Sequence, residues 1–277
     1  MRGAIAPVQL KLFRSGELSR DADHSNIGRM AAFAYDHLPY PIRSDIPNTN
    51  RAIWDHIARA GCWWTGQDRV AIAAEVRRAR GCKLCRERKA SLAPYGISGT
   101  HDSSGALPPD VVEVVHRLST DSGRLKKSWY DDLLKHDLTD AQYVEILSVV
   151  AVVLAVDEFH HALGLPMEPL PKPIPGKPSQ YRPPGAKPAG AWVPMISLEG
   201  AIDAEADIYG GSNRIVNVVS ALSLIPDAIR LADSILNTYY VFGADMPNLS
   251  KNSGRALQRS QMEFIAARVS SINDCFY

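Results

Sequence analysis

Three groups of residues in this chain have types and spacings that could carry chemistry. Cys82-Lys83-Leu84-Cys85 is an intact Cys-x-x-Cys. On a helix the two thiols share a face, and Arg77, Arg78, Arg80, Arg86 and Arg88 around them would favour thiolates. That pair could close a local disulfide. A structural zinc would need two more ligands; Cys62 and His101 are candidates but lack motif spacing. Simple burial of both thiols is the alternative. The second group is Cys275, which follows an amphipathic helix pattern, EFIAARVSSI, closed by Asn273-Asp274. At the start of whatever follows, unpaired helix N–H groups would favour its thiolate and raise its reactivity. The third is a carboxylate and imidazole set. Glu113 with His116, and Glu158 with His161, are Glu-x-x-His pairs, the arrangement by which helical carboxylate proteins hold iron or manganese. Glu145 and Asp157 lie in an apolar run (ILSVVAVVLAV), where an unpaired carboxylate is costly, so Glu145, Asp157, His160 and His116 lead that set. Left open they would be a metal or acid/base site; closed on each other they would be a structural network.

The elements that must position these residues are helices. Residues 1–50 carry little periodicity and several turn formers, including Pro39-Tyr40-Pro41 and Pro47-Asn48-Thr49-Asn50, and read as an irregular N-terminal arm. Helical patterns begin near Ala52 and recur over Arg69 to Ser91, where Val70, Ala73, Ala74 and Val76 form an apolar stripe. A helix is expected from Pro109 to Ser119, with proline and an acidic residue in its first turn. Others are expected over Arg124 to Lys135 and Asp140 to Leu163, the last stopped by Gly164 and Pro166. From Leu165 to Pro194 prolines stand at 166, 169, 171, 173, 175, 178, 183, 184, 188 and 194. Such a segment cannot enter a helix interior or a sheet ladder, so it is expected to run extended over the surface.

The regions on either side of that segment look like two copies of one unit. VVEVVHRLS (Val111 to Ser119) lines up with IVNVVSALS (Ile215 to Ser223), Arg124-Leu125 with Arg230-Leu231, and Trp129-Tyr130 with Tyr239-Tyr240. Both run into a matched helix that puts Glu145 opposite Glu263. The chain's ending resembles the AhpD-like alkylhydroperoxidase superfamily, which includes the carboxymuconolactone decarboxylases. That family's signature is glutamate, eleven residues, Cys-x-x-Cys, three residues and histidine. Glu263 and Cys275 match its first two positions, and its second cysteine and histidine would fall past Tyr277. In the first unit Asp157, His160 and Gly164 occupy the positions of the two cysteines and the histidine. The resemblance covers roughly 105–164 and 212–277. It implies Cys275 as reactive thiol with Glu263 as acid/base partner, while Cys82 and Cys85 stand outside the motif, as a secondary redox candidate.

At 277 residues and 45% hydrophobic content the chain supplies a sizeable core. With 31 lysines and arginines against 30 acidic residues it has no electrostatic case for nucleic acid. The longest apolar run, Ile146 to Val156, is too short to span a bilayer. No signal-peptide pattern opens the chain, so a cytoplasmic location is expected. The expected fold is all-α: an arm (1–50), a first AhpD-like unit with N-terminal helices (51–164), a proline-rich linker (165–200), and a second unit (201–277) ending inside its motif. The function the resemblance implies is a thiol-dependent, antioxidant, peroxidase-like oxidoreductase. It would act on a peroxide or small organic substrate with a thiol reductant, need no cofactor, and assemble as a homo-oligomer. The alternatives are an iron or manganese enzyme built on Glu145, Asp157, His160 and His116, and a non-catalytic member serving as a structural or interaction subunit.

Overall fold

The computed structural model describes residues 32–210, 215–273 and 275. Most of the arm expected over 1–50 lies outside the described residues, as does most of Gly210-Gly211-Ser212-Asn213, whose composition predicts a turn. Among those described, nine α-helices, four three-residue 3-10 turns and one pair of two-residue strands make up the regular structure, so the fold is all-α.

The first helix, α1 (Asp45–Ala58), begins within the stretch expected to be irregular. Pro47 sits in its first turn, where its missing N–H would have had no partner, so Pro47-Asn48-Thr49-Asn50 continue a helix instead of turning. Ile46, Asn50, Ile53, Trp54 and Ile57 form its buried face. The Arg69 to Ser91 pattern is two helices, α2 (Gly66–Ala79) and α3 (Lys83–Ala90), separated at Gly81. Thr65 and Asp68 start α2 with reciprocal side-chain to backbone bonds. Helix α4 (Pro109–Thr120) has proline at its first position, as the sequence suggests, and α5 (Lys127–Leu133) follows. Helix α6 (Asp140–Ala162) is 23 residues long and apolar around most of its circumference, which makes it the central post of the core. Gly164, at φ +67°, ends it, with the Leu165 N–H returning to the His160 carbonyl.

Helices α2, α4 and α6 pack against one another, and α1 lies beside α2. Within the proline-rich segment β1 (Ala186–Lys187) pairs antiparallel with β2 (Met195–Ile196), which directly follows Pro194; then come α7 (Asn217–Ser220), α8 (Pro226–Tyr239) and α9 (Arg259–Ile272). Helix α8 docks on α6 and α1, and its Ala228 and the preceding Leu224 and Ile225 enter the same hydrophobic core as Val115, Val149 and Val153. Elements from both sides of the proline-rich segment thus share one core. That segment is free of helix and largely exposed, as expected, but Ala186 and Lys187 do enter a short ladder, because between Pro184 and Pro188 they keep their own N–H groups. It is also fastened: the Ile174, Ser179 and Gln180 N–H groups donate to the carbonyls of Ala58, Gly61 and Cys62, and Trp54 Nε1 donates to Pro169 O at 2.8 Å. No helix among the described residues is long and apolar enough to cross a membrane.

Candidate metal centre

The Gly81 break places Cys82 at the N-cap of α3, in extended backbone (φ −65°, ψ 127°), with Cys85 in the first turn. Both are buried. The chain then leaves α3, passes a short 3-10 turn at Pro94–Gly96, and runs irregularly to α4. That loop lays His101 over the two sulfurs, and α4 supplies His116 from below. His101 Nδ1 lies 3.4 Å from Cys82 Sγ and 3.5 Å from Cys85 Sγ, and His116 Nδ1 lies 3.2 Å from Cys85 Sγ. All four donor atoms fall within 4.8 Å of one another, and this is the sole such thiol, imidazole and carboxylate cluster among the described residues. Zinc bonds of about 2.3 Å to sulfur and 2.05 Å to nitrogen make tetrahedral edges of about 3.6 Å between S and N, so these separations suit a four-coordinate ion.

The far nitrogen of each imidazole is also held. His116 Nε2 meets Glu75 Oε1 of α2 at 2.9 Å, and His101 Nε2 meets Glu113 Oε2 of α4 at 2.7 Å. An Nε2–H donated to a carboxylate leaves Nδ1 free as a ligand, the usual outer support of a metal-bound histidine. Glu75 also accepts from the Ser104 hydroxyl at 3.3 Å, and Glu113 from Arg88 at 2.8 Å. Asp102 accepts from the Lys83 N–H at 2.8 Å, and its own N–H reaches Cys82 Sγ at 3.5 Å, so the loop is stitched to the start of α3. Burial opposes charge on these groups, yet the local partners win at three of them. Hydrogen bonds from His101 and Arg88 hold Glu113 at about 2, and those of His101 to Cys85, Glu113 and Cys82 push it up to about 10. Cys82 is drawn below the usual thiol value by the backbone N–H groups of Cys85 and Asp102. At His116 burial prevails, and its pKa is lowered despite Glu75. The cluster therefore gathers two sulfurs and two imidazoles, each imidazole backed by a carboxylate.

Most of the arginines expected to favour thiolates are engaged by other groups: Arg77 binds Asp157, Arg80 binds Glu158, and Arg86 donates to the Gly81 carbonyl, while Arg88 acts on the cluster through Glu113. The set of Glu145, Asp157, His160 and His116 is not brought together. Asp157 lies under the Arg77 guanidinium at 2.8 and 2.9 Å. His160 Nδ1–H donates to Pro166 O at 2.7 Å, leaving Nε2 to accept from the Tyr35 hydroxyl at 2.8 Å, with Asn50 and Tyr239 extending the chain. Those are closed structural contacts. His116 belongs to the thiol cluster, and Glu113 supports His101, not its own helix neighbour at the metal. Glu263 is ion-paired to Arg259 one turn earlier. Cys275 is exposed past the C-terminal end of α9, with its N–H on the Ser270 carbonyl. Ser270 is seven residues of helix, roughly 10 Å, beyond Glu263, so the two do not meet.

Glu145 forms a second polar cluster under the loop joining α1 to α2. It accepts from the Trp63 N–H at 2.7 Å and lies 3.6 Å from Arg69 Nε, both side chains being almost wholly buried. Its carboxylate fills the place of the Gly61 side chain: a Cβ there would lie 1.8 Å from Glu145 Oε1. Gly61→Ala is expected to expel that carboxylate and cost about 2–3 kcal/mol, measured by denaturant unfolding. His56, facing Arg69, Glu145, Cys62 and Asp227 across the same small cavity, is pushed down to about 4 by burial and then by Arg69. An unfolded histidine titrates near 6.5, so the unfolded chain takes this proton first as pH falls. His56's contribution is whole above pH 6.5 and lost between there and about 4. Burial raises Glu145, which acts in the opposite sense, so the difference between wild type and His56→Gln isolates the histidine. The variant should lose less stability on going from pH 7 to 5.

The sequence pairs Cys82 with Cys85 and offers His101 and Cys62 as further zinc ligands. His101 is at the cluster, whereas Cys62 lines the His56 and Glu145 cavity and its place is taken by His116, which the sequence assigns to the carboxylate set, with Glu75 and Glu113 unrecognised as supports. The available signal was Cys-x2-Cys with His101 at a finger-like interval, masked because the gap from His101 to His116 is far longer than the histidine spacing of a finger. Comparison of the chain with protein-family models, with curated proteins and with solved structures gives no match.

Proposed function

We propose that this is a helical zinc protein whose Cys82, Cys85, His101 and His116 form a closed structural centre. The observation that supports it is the set of four mutually close donor atoms with each imidazole's outer nitrogen on its own carboxylate. Two thiolates favour zinc over iron or manganese, which an all-oxygen and imidazole set would suit better. Four protein ligands fill a tetrahedral shell and leave no position for substrate, so the ion's work is to fasten α3 and the His101 loop to α2 and α4. Protein purified without chelator should carry one zinc per chain by elemental analysis, and cobalt substitution should give the intense visible bands of tetrahedral sulfur coordination. Glu75→Gln should weaken zinc affinity about 10–100-fold in a chelator competition. Metal-free protein that takes up no zinc would sink this reading.

One observation favours a second reading. Cys85, His116 and Glu75 form a thiol, imidazole and carboxylate chain, the geometry of an activated nucleophile. On it a metal-free form would be a thiol-dependent, peroxidase-like oxidoreductase acting through Cys82 and Cys85, with a small peroxide substrate and a thiol reductant. Steady turnover of peroxide by zinc-free protein, lost in Cys85→Ser, would establish it. The tandem AhpD-like units are part of the broader proposal, resting on the sequence correspondences. Homo-oligomerisation is too; the exposed Phe264, Ile265, Val269 and Ile272 on α9 support it.

A further inference from the structure

We infer that the centre is also a peroxide sensor: hydrogen peroxide converts Cys82 and Cys85 to a disulfide, the ion leaves, and the His101 loop is freed. This rests on the zinc reading. The two sulfurs lie within 4.8 Å, three residues apart, one at the cap and one in the first turn of α3. Residues so placed have Cα atoms about 5–6 Å apart, inside the range a disulfide spans, so side-chain rotation closes the bond without unwinding the helix.

The chemistry balances with peroxide as the only oxidant. The Cys82 thiolate attacks one peroxide oxygen, the O–O bond breaks, and sulfenic acid and hydroxide form. The Cys85 thiolate then attacks the Cys82 sulfur, the S–S bond forms, and a second hydroxide departs. Two thiolates have lost two electrons and one peroxide has gained them. The ion keeps only His101 and His116, too few to hold it against solvent. A dithiol reductant and zinc reverse the change.

The structure also says what moves. Glu75 and Glu113 remain to hold the imidazoles, so α2 and α4 keep their packing. The loop around His101 has less to hold it: Ser98, Gly99, Thr100, Asp102 and residues 104–106 are exposed, and His101 is its anchor on the ion. With the ion gone, the loop is left with single contacts from flexible side chains: His101 with Glu113, Asp102 with α3, Ser104 with Glu75, and Arg88 with the Ile97 carbonyl. Opening of the same loop is the route by which peroxide reaches sulfurs that are otherwise buried.

The test treats the zinc-loaded full chain with graded hydrogen peroxide. Released zinc is read with a colorimetric chelator, cysteine oxidation by peptide mass mapping, and loop exposure by limited proteolysis. Exposed Cys275 serves as an internal gauge of oxidant dose. The expected result is one zinc released per chain, loss of two hydrogens from the peptide spanning Cys82 and Cys85, and new cleavage between residues 97 and 107. Zinc uptake after dithiothreitol and added zinc should complete the cycle. Zinc retained at a dose that fully oxidises Cys275, or released with sulfinic acids in place of the disulfide, would overturn the sensor and leave the zinc reading standing. A chain that never binds zinc would overturn both.

Discussion

Stripping the ion is expected to raise the hydrogen-exchange rate of amides in α3 and the His101 loop by about 10²–10³-fold while leaving α6 almost untouched. The reason lies in how α3 is attached. It is eight residues long, too short to persist alone. Its buried side chains, Leu84 and Cys85, join Cys82 and Ile97 in a small cluster apart from the main core. Little apolar area therefore holds it, and the two sulfurs on the ion are its chief tie to α4. A hundred- to thousandfold change corresponds to about 3–4 kcal/mol of local stability, a modest share of what structural zinc sites supply. Exchange by mass spectrometry, with and without a strong chelator, measures it directly. Cys85→Ser should give the stripped pattern in the presence of zinc. Unchanged protection of residues 83–90 after verified zinc removal would mean that the ion fastens nothing.

Arg77→Met is expected to destabilise the whole core by about 3–5 kcal/mol, seen as a fall in Tm of roughly 10 °C. Asp157 lies on α6 with its side chain 1% exposed, and Arg77 of α2 meets it through two parallel hydrogen bonds. The same guanidinium donates to the Glu168 carbonyl, which fixes the first residues after α6. Methionine fills much of the space but leaves a buried carboxylate with no cation. Adding Asp157→Asn should recover more than half of the loss, because a neutral amide is cheaper to leave buried than a charge. Arg77→Lys should behave as a loss, since a lysine cannot reproduce the planar fork. A double variant as unstable as Arg77→Met would show that the arginine acts through packing on Trp54, whose ring lies 5.9 Å from it.

How far the sequence showed these features depends on their range. Helices α4 and α6 were legible because their signals are local: proline and aspartate open one, and glycine with a following proline closes the other. The helix-free run from 165 was legible because proline forbids a helix interior, though the short ladder made by Ala186 and Lys187 was not. The α2 to α3 break was not, since the arginine-rich pattern keeps a helical period across Gly81, and only the structure shows that the chain turns there. His101 sits in a loop, where no period links it to Cys82. Arg77 could be assigned to the thiols because its true partner, Asp157, is eighty residues away. Long-range pairing decides which acid meets which base, and periodicity carries none of that information.

The seat of α8 against α1 has a consequence for how the chain reaches its native state. Thr238 and Tyr239 bond Thr49 and Asn50 across 189 residues, and Arg43 reaches the Thr238 carbonyl. During synthesis α1 through α6 emerge with one flank of the core open, and that flank stays open until residues near 240 have left the ribosome. Contacts of such sequence separation carry a large loop-closure cost and form late. The nascent protein therefore passes through a long interval in which Ile225 and Ala228 are absent from the core and its apolar wall faces solvent or a chaperone.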